Sequence, residues 1–264
     1  MSIRLFDVSF TPGCAADILR IAACHPATKP RLIVTANLDH IVTLAENPAF
    51  REAYDGAVAR TLDGMPLVWL ARLRGARPVE RVTGHELVAA AMAEPWPAGR
   101  RIYLVCAIPE VGDYFTEHLV AAGLDRVAIA VTVPPYGFEE DSAYGERLAA
   151  AIRRHGTTLL VLGVGAPRSE IWVTRQGKAL GAPVVLAVGE ALNVAAGLVP
   201  RAPVLLQRMG LEWFFRFLHD PRRLFRRYFL RSWRLLGIAI RALRDRRRRA
   251  VLARNPGRDA TRSP

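Results

Sequence analysis

Long apolar stretches are missing from this 264-residue chain, and no run approaches the roughly 18 uninterrupted apolar residues of a membrane span. The opening residues MSIRLFDVSF also lack the basic-then-apolar order of a secretory signal, so neither an integral membrane protein nor a secreted one is expected. Cysteine is scarce. Cys14, Cys24 and Cys106 are too few and too irregularly spaced for a disulfide framework or a four-ligand zinc site, and a reducing cytosol is the expected compartment. Neither an internal repeat nor an interdomain linker interrupts the first 200 residues.

Hydrophobic residues make up 51% of the chain, enough for one substantial core. The charge is unevenly placed. Residues 1–200 carry 19 Lys+Arg against 20 Asp+Glu, whereas residues 201–264 carry 18 Arg, no Lys and 4 acids, so nearly all of the net +13 sits at one end. A near-neutral body with a basic end implies an anionic partner: a membrane surface, a phosphorylated ligand or nucleic acid.

Short apolar runs bounded by turn residues recur at 31–37, 101–107, 126–135, 157–167 and 182–191. Between them, HELVAAAMAE (85–94) and YGERLAAAIRRHG (144–156) have apolar residues every three or four positions. This β-α alternation predicts an α/β fold, with a mainly parallel sheet covered by helices on both faces and ligand-binding loops at the carboxyl ends of the strands. The α/β core is expected over residues 1–200. An Arg-rich helical appendage is expected over 201–245, and a disordered basic tail over 246–264.

Within the appendage, Asp220 and Pro221 suit a helix start. At 100° per residue, Phe225, Phe229, Trp233, Leu236, Ile240 and Leu243 then share an arc of about 80°, with arginines on the other side. That segregation fits an interfacial helix on an anionic leaflet, or a helix docked on its own domain with a solvated basic face.

Three polar sets fall on loops. TANLDH ends the first apolar run and offers Thr35 and Asn37, which could be ligands or helix caps. TLDGMPLVWLARLRG offers Asp63-Gly64 before an apolar helix, either as chemistry or as a turn with an N-cap. LGVGAPRSE is a glycine-containing turn that could bring backbone N–H groups to a phosphate or a sugar hydroxyl.

In order along residues 30–230, TANLDHIVTLAENPAFREAYDGA, LDGMPLVW, RVTGHEL, GVGAPRSEIW, VGEALNVAAGLVPRAP and GLEWFFRFLHDPRRLFRRY resemble the WecG/TagA/CpsF glycosyltransferases, family 26. The resemblance implies a Rossmann-like core with a C-terminal appendage. It also implies inverting, metal-independent transfer of a hexose or N-acetylhexosamine derivative from a UDP-sugar to a polyprenyl-diphosphate-linked sugar, in surface or exopolysaccharide synthesis. Asp63 then corresponds to the general base, and Thr35, Asn37 and Arg81 to the sugar pocket. Gly165, Ser169, Glu170 and Asn193 fall in further binding motifs, while Arg216, Arg223 and Arg226 correspond to appendage arginines around the diphosphate. No cofactor is implied beyond the UDP-sugar donor.

The chain lacks Asp-x-Asp, the triplet with which many metal-dependent glycosyltransferases hold a nucleotide diphosphate. Arginine can neutralise the diphosphate in its place, since its planar fork binds phosphate oxygens bidentately. Two positions depart from the family pattern: Ser169 stands where glutamine is usual, and Asn193 where an acid is common. The donor therefore stays open among N-acetylmannosamine, a neutral hexose and an acidic one.

The expected location is the cytoplasm, peripherally on the inner face of the cell membrane, with self-association as a further expectation. Two alternatives are a nucleic-acid-binding protein using the Arg-rich end and a catalytically inactive family member. The body lacks an Arg/Lys stripe with interleaved aromatics, so nucleic acid is not the expected partner.

Overall fold

A computed structural model of the chain describes residues 3–76, 79–199, 202–203, 205–206 and 212–219. Six strands form one sheet: β3 (Arg31–Ala36), β4 (Ala59–Leu62), β5 (Ile102–Val105), β6 (Ile129–Thr132), β7 (Leu159–Leu162) and β8 (Val184–Ala187). Their spatial order is β4-β3-β8-β7-β5-β6, and every adjacent pair is parallel. A small antiparallel hairpin, β1 (Ile3–Leu5) and β2 (Val8–Phe10), precedes them. The parallel α/β sheet expected from the alternation is present, and its architecture is Rossmann-like, as the resemblance implies.

Sheet composition explains the layering. All four residues of β5, of β7 and of β8 are buried, which requires an apolar cover on both faces. One face packs α2 (Leu38–Glu46), α3 (Pro48–Gly56), α4 (Met65–Leu73), α7 (Ser142–Arg154) and α8 (Arg168–Gln176) against Leu32, Val34, Leu160, Leu162 and Val185. The other packs α1 (Ala15–Cys24), α5 (Gly84–Met92), α6 (Pro109–Ala121) and α9 (Ala191–Ala195) against Ile33, Leu104, Val161 and Leu186. Alternate residues of one strand thus feed two separate cores.

All five apolar runs contain a strand. The run at 126–135 holds a shorter one than its length suggests, because residues 126–128 form a 3-10 turn before β6. The helices at 85–94 and 144–156 appear as α5 and α7, and Gly156 closes the second at φ +69°. β4 and the hairpin carry no such signal. The hairpin turn uses Phe6 and Asp7 at φ +49° and +60°, where Asn-Gly would be the readable signature.

The last helix among the described residues, α10 (Glu212–His219), lies in the Arg-rich region, with Phe214 and Leu218 exposed. The amphipathic stretch 221–245 and the tail 246–264 lie outside the described residues. Among the described residues no helix is long and apolar enough to cross a membrane.

Candidate active site

The carboxyl ends of β3, β4, β7 and β8 converge on a cleft of about 380 Å³, within the size range of small-molecule sites. Each wall is set by local chemistry. At the end of β3, Thr35 is buried, and Asn37 caps α2 by accepting from the His40 amide at 3.1 Å. The cap reading of Asn37 is therefore correct, yet the residue lines the cleft as well.

Asp63 follows β4. Its amide donates to the carbonyl of Ala36 at 2.9 Å, and the next amide, of Gly64, donates to the same oxygen at 3.2 Å. These bonds hold the Asp63-Gly64 turn beside Asn37. The N-cap of α4 is Gly64, so Asp63 is not the cap that a turn-plus-cap reading supposes. It lines the cleft.

Extended residues leading to α5 run beside β4, where the Val82 amide donates to Leu62 O at 2.9 Å and Thr61 Oγ1 donates to Val82 O at 2.8 Å. They end at Thr83, which shares a capping box with Glu86. Gly84 then passes so close to α9 that a Cβ would lie 2.9 Å from Ala191 Cβ.

Two glycine turns close the opposite wall. Gly165, at φ +86°, lies between β7 and α8, and Gly189, at φ +54°, lies between β8 and α9. A Cβ on Gly189 would sit 3.2 Å from Gly165 Cα, so the two loops touch through backbone.

Of the residues singled out in the sequence, Thr35, Asn37, Asp63, Gly165, Glu170 and Asn193 line this one cleft. Ser169 and Arg81 are not among its lining residues. Ser169 is 1% exposed and spends its hydroxyl on the carbonyl of Gly165 at 3.2 Å, bracing the turn from behind. Arg81 is half-buried on the segment beside β4. The side chain of Arg216, in α10, is not described, and Arg223 and Arg226 lie outside the described residues.

Several lining residues escaped the motif reading: Asp39, His40, Thr83, His85, Arg168 and Glu190. His40 had a signal, since it falls three residues after a helix-capping Asn and so turns back toward the strand end. Its Nδ1 lies 2.6 Å from the Thr35 carbonyl oxygen and 2.9 Å from the Tyr54 hydroxyl. A carbonyl only accepts, so Nδ1 carries the hydrogen. Arg168 sits 4.6 Å over the ring of Tyr136, and its Nε is 3.8 Å from Glu139 Oε1.

The described lining is rich in acid. Asp39, Asp63, Glu170 and Glu190 stand against Arg168. Burial pushes the Glu170 carboxyl up to about 7, its own backbone amide offsetting part of the effect. Burial also raises Tyr54, and the charges of Glu170 and Asp63 add to that rise. Among the described residues no three His, Cys, Asp or Glu converge as a metal-binding group. The carboxyl and amide side chains gathered at these strand ends suit a polyhydroxylated ligand.

Comparison with protein families gives a match to the model described as the glycosyl transferase WecG/TagA/CpsF family, over residues 3–249.

Proposed function

Because the chain belongs to the WecG/TagA/CpsF family of glycosyl transferases, we propose that the cleft transfers a hexose or N-acetylhexosamine unit from a UDP-sugar to a sugar on a polyprenyl diphosphate. Asp63 takes the proton of the acceptor hydroxyl as its oxygen attacks the anomeric carbon. The bond from that carbon to the UDP oxygen breaks on the opposite face, so configuration inverts and UDP leaves with the negative charge. Thr35, Asn37 and Asn193 orient sugar hydroxyls.

The observation that carries this reading is the position of Asp63, lining a polar cleft at a strand end and tied by backbone bonds to the neighbouring strand. A diphosphate also needs cations. The described lining supplies Arg168 against four acids, whereas residues 201–264 hold 18 arginines. Arg216, Arg223 and Arg226 complete the site around the diphosphate without a metal, their forks stabilising charge on the leaving group. Residues 221–245 bring the enzyme to an anionic inner leaflet, where the lipid-linked acceptor is found.

Turnover of a panel of UDP-sugars with a synthetic polyprenyl-diphosphate-sugar acceptor, run beside nucleic-acid binding, tests the reading. Transfer of one sugar with release of UDP is the expected result. Tight nucleic-acid binding with no turnover would replace it, and UDP-sugar binding without turnover would leave an inactive scaffold of the same fold.

A further inference from the structure

Glu170 is a carboxyl group that the transfer chemistry above leaves without a task. It sits in the first turn of α8, is 1% exposed and lines the cleft, and its Oε2 has no hydrogen-bond partner among the described residues. A buried carboxylate in that state would be costly, because burial removes water, supplies no cation, and leaves the residue's own backbone amide to offset only part of the loss.

The groups packed around Glu170 do not relieve that cost. On α3 it faces Tyr54, a phenol that itself resists ionisation. Across the cleft stand Asp63, a second acid, and His40, whose Nδ1 is directed at the Thr35 carbonyl. The neighbouring part of α7 is Gly145, set against Trp172 and Gln176. Lys178, in the turn after α8, is exposed, and Arg31 at the start of β3 bonds carbonyls of Ala22, Ala23 and Ala182. Arg168, two residues before Glu170, is engaged by Tyr136 and Glu139. The neutral acid is thus the form this environment favours, in line with the upward shift.

A neutral carboxyl has what a carboxylate lacks, an O–H donor. We propose that Glu170 is a specificity-determining residue of the cleft, its carboxyl hydroxyl donating to an oxygen of a neutral bound sugar, a ring hydroxyl or an acetamido carbonyl. The inference rests on the reading of the cleft as a sugar-transfer site and deepens it in two ways. Ionisation of Glu170 removes the donor and adds negative charge next to an anionic nucleotide sugar, so donor use falls as the group titrates. A carboxylated sugar would meet a wall of acids, which selects a neutral hexose or N-acetylhexosamine.

Two variants test this on the full chain. kcat/KM for the UDP-sugar is followed from about pH 6 to pH 9 in the wild type, in Glu170→Gln and in Glu170→Leu. In the wild type it falls tenfold per pH unit above the titration of Glu170. Glu170→Gln keeps a donor and cannot ionise, so its profile lacks that alkaline limb. Glu170→Leu has no donor, and its KM rises roughly tenfold at the acid end, the scale of one lost hydrogen bond. A wild-type limb retained in the Gln variant overturns the proposal, and so does an unchanged KM in a folded Leu variant.

Infrared difference spectra of wild type minus Glu170→Gln give a readout that needs no turnover: a protonated-carboxyl band present at about pH 6 that shifts when UDP-sugar is added. A band without any turnover sinks the transferase reading and leaves the neutral acid standing. Turnover without the band overturns the inference made here.

Discussion

The imidazole of His40 and the carbonyl oxygen of Thr35 are 2.6 Å apart, and the Tyr54 hydroxyl donates to the same oxygen at 2.9 Å. Two buried donors on α2 and α3 therefore converge on the end of β3, just before Asn37. Either donor alone still satisfies that oxygen, and losing both leaves a buried carbonyl without a side-chain partner. Tyr54→Phe is expected to cost about 1 kcal/mol and His40→Ala about 2–3 kcal/mol of stability, with more than additive loss in the double variant. Urea unfolding of the three variants checks this, and unchanged midpoints would show that the tie contributes nothing.

Glu170 makes stability depend on pH with a defined sign. Its carboxyl is raised from 4.5 to about 7 in the folded chain. Between those values the native state holds a proton that the unfolded state has released, so stability falls as pH rises through the window and is level above it. The loss is about 3 kcal/mol, and Glu170→Gln should abolish it. Chemical denaturation at about pH 5 and pH 8 measures the difference. Equal pH slopes in the two proteins would refute the assignment.

Gly189 cannot carry a side chain cheaply, since its φ of +54° is left-handed and a Cβ would meet Gly165 Cα at 3.2 Å. Gly189→Ala is expected to destabilise by about 1–2 kcal/mol and to raise KM for the donor by shifting the β7–α8 turn. Thermal melting and donor kinetics read the two effects. An effect on melting alone would mean that the turn does not contact the donor.

The α/β fold was legible because strands buried on both faces leave continuous Val, Ile and Leu runs, and the Gly165 turn because a glycine-containing loop follows one of them; the Gly189 turn was not read. β4 was hidden by Arg60, whose guanidinium folds back onto the carbonyls of Tyr54 and Asp55, so that a polar residue sits in a strand. The hairpin was hidden because Phe6-Asp7 carries no turn signature. At the site, Asn37 was readable as cap or ligand, and it is a cap that also lines the cleft. Sequence pattern could not tell that Glu170 is buried, or that Ser169 turns its hydroxyl to Gly165. The burial of Glu170 depends on α8 packing against α3 and α7, contacts between residues far apart in the chain, whereas the Ser169 bond spans only four residues.

Arg223 and Arg226 lie three apart in a stretch whose periodicity predicts a helix, so both forks can reach one diphosphate. Alanine at either position is expected to weaken UDP binding and donor turnover more than folding. Lysine should restore only part, because a point charge lacks the bidentate geometry. Calorimetric titration with UDP, paired with donor kinetics, checks both residues. Unchanged affinity and kinetics in both alanine variants would remove them from the site.

If Asp63 is the base, single-turnover transfer by Asp63→Asn isolates the loss of proton acceptance from donor binding. The amide is nearly isosteric and keeps the backbone bonds to Ala36, but it cannot take the acceptor's proton. The expected result is a folded variant that binds UDP like the wild type and transfers sugar at least about 100-fold more slowly. A variant that kept most of its single-turnover rate would remove Asp63 from the base role and move the base elsewhere in the cleft.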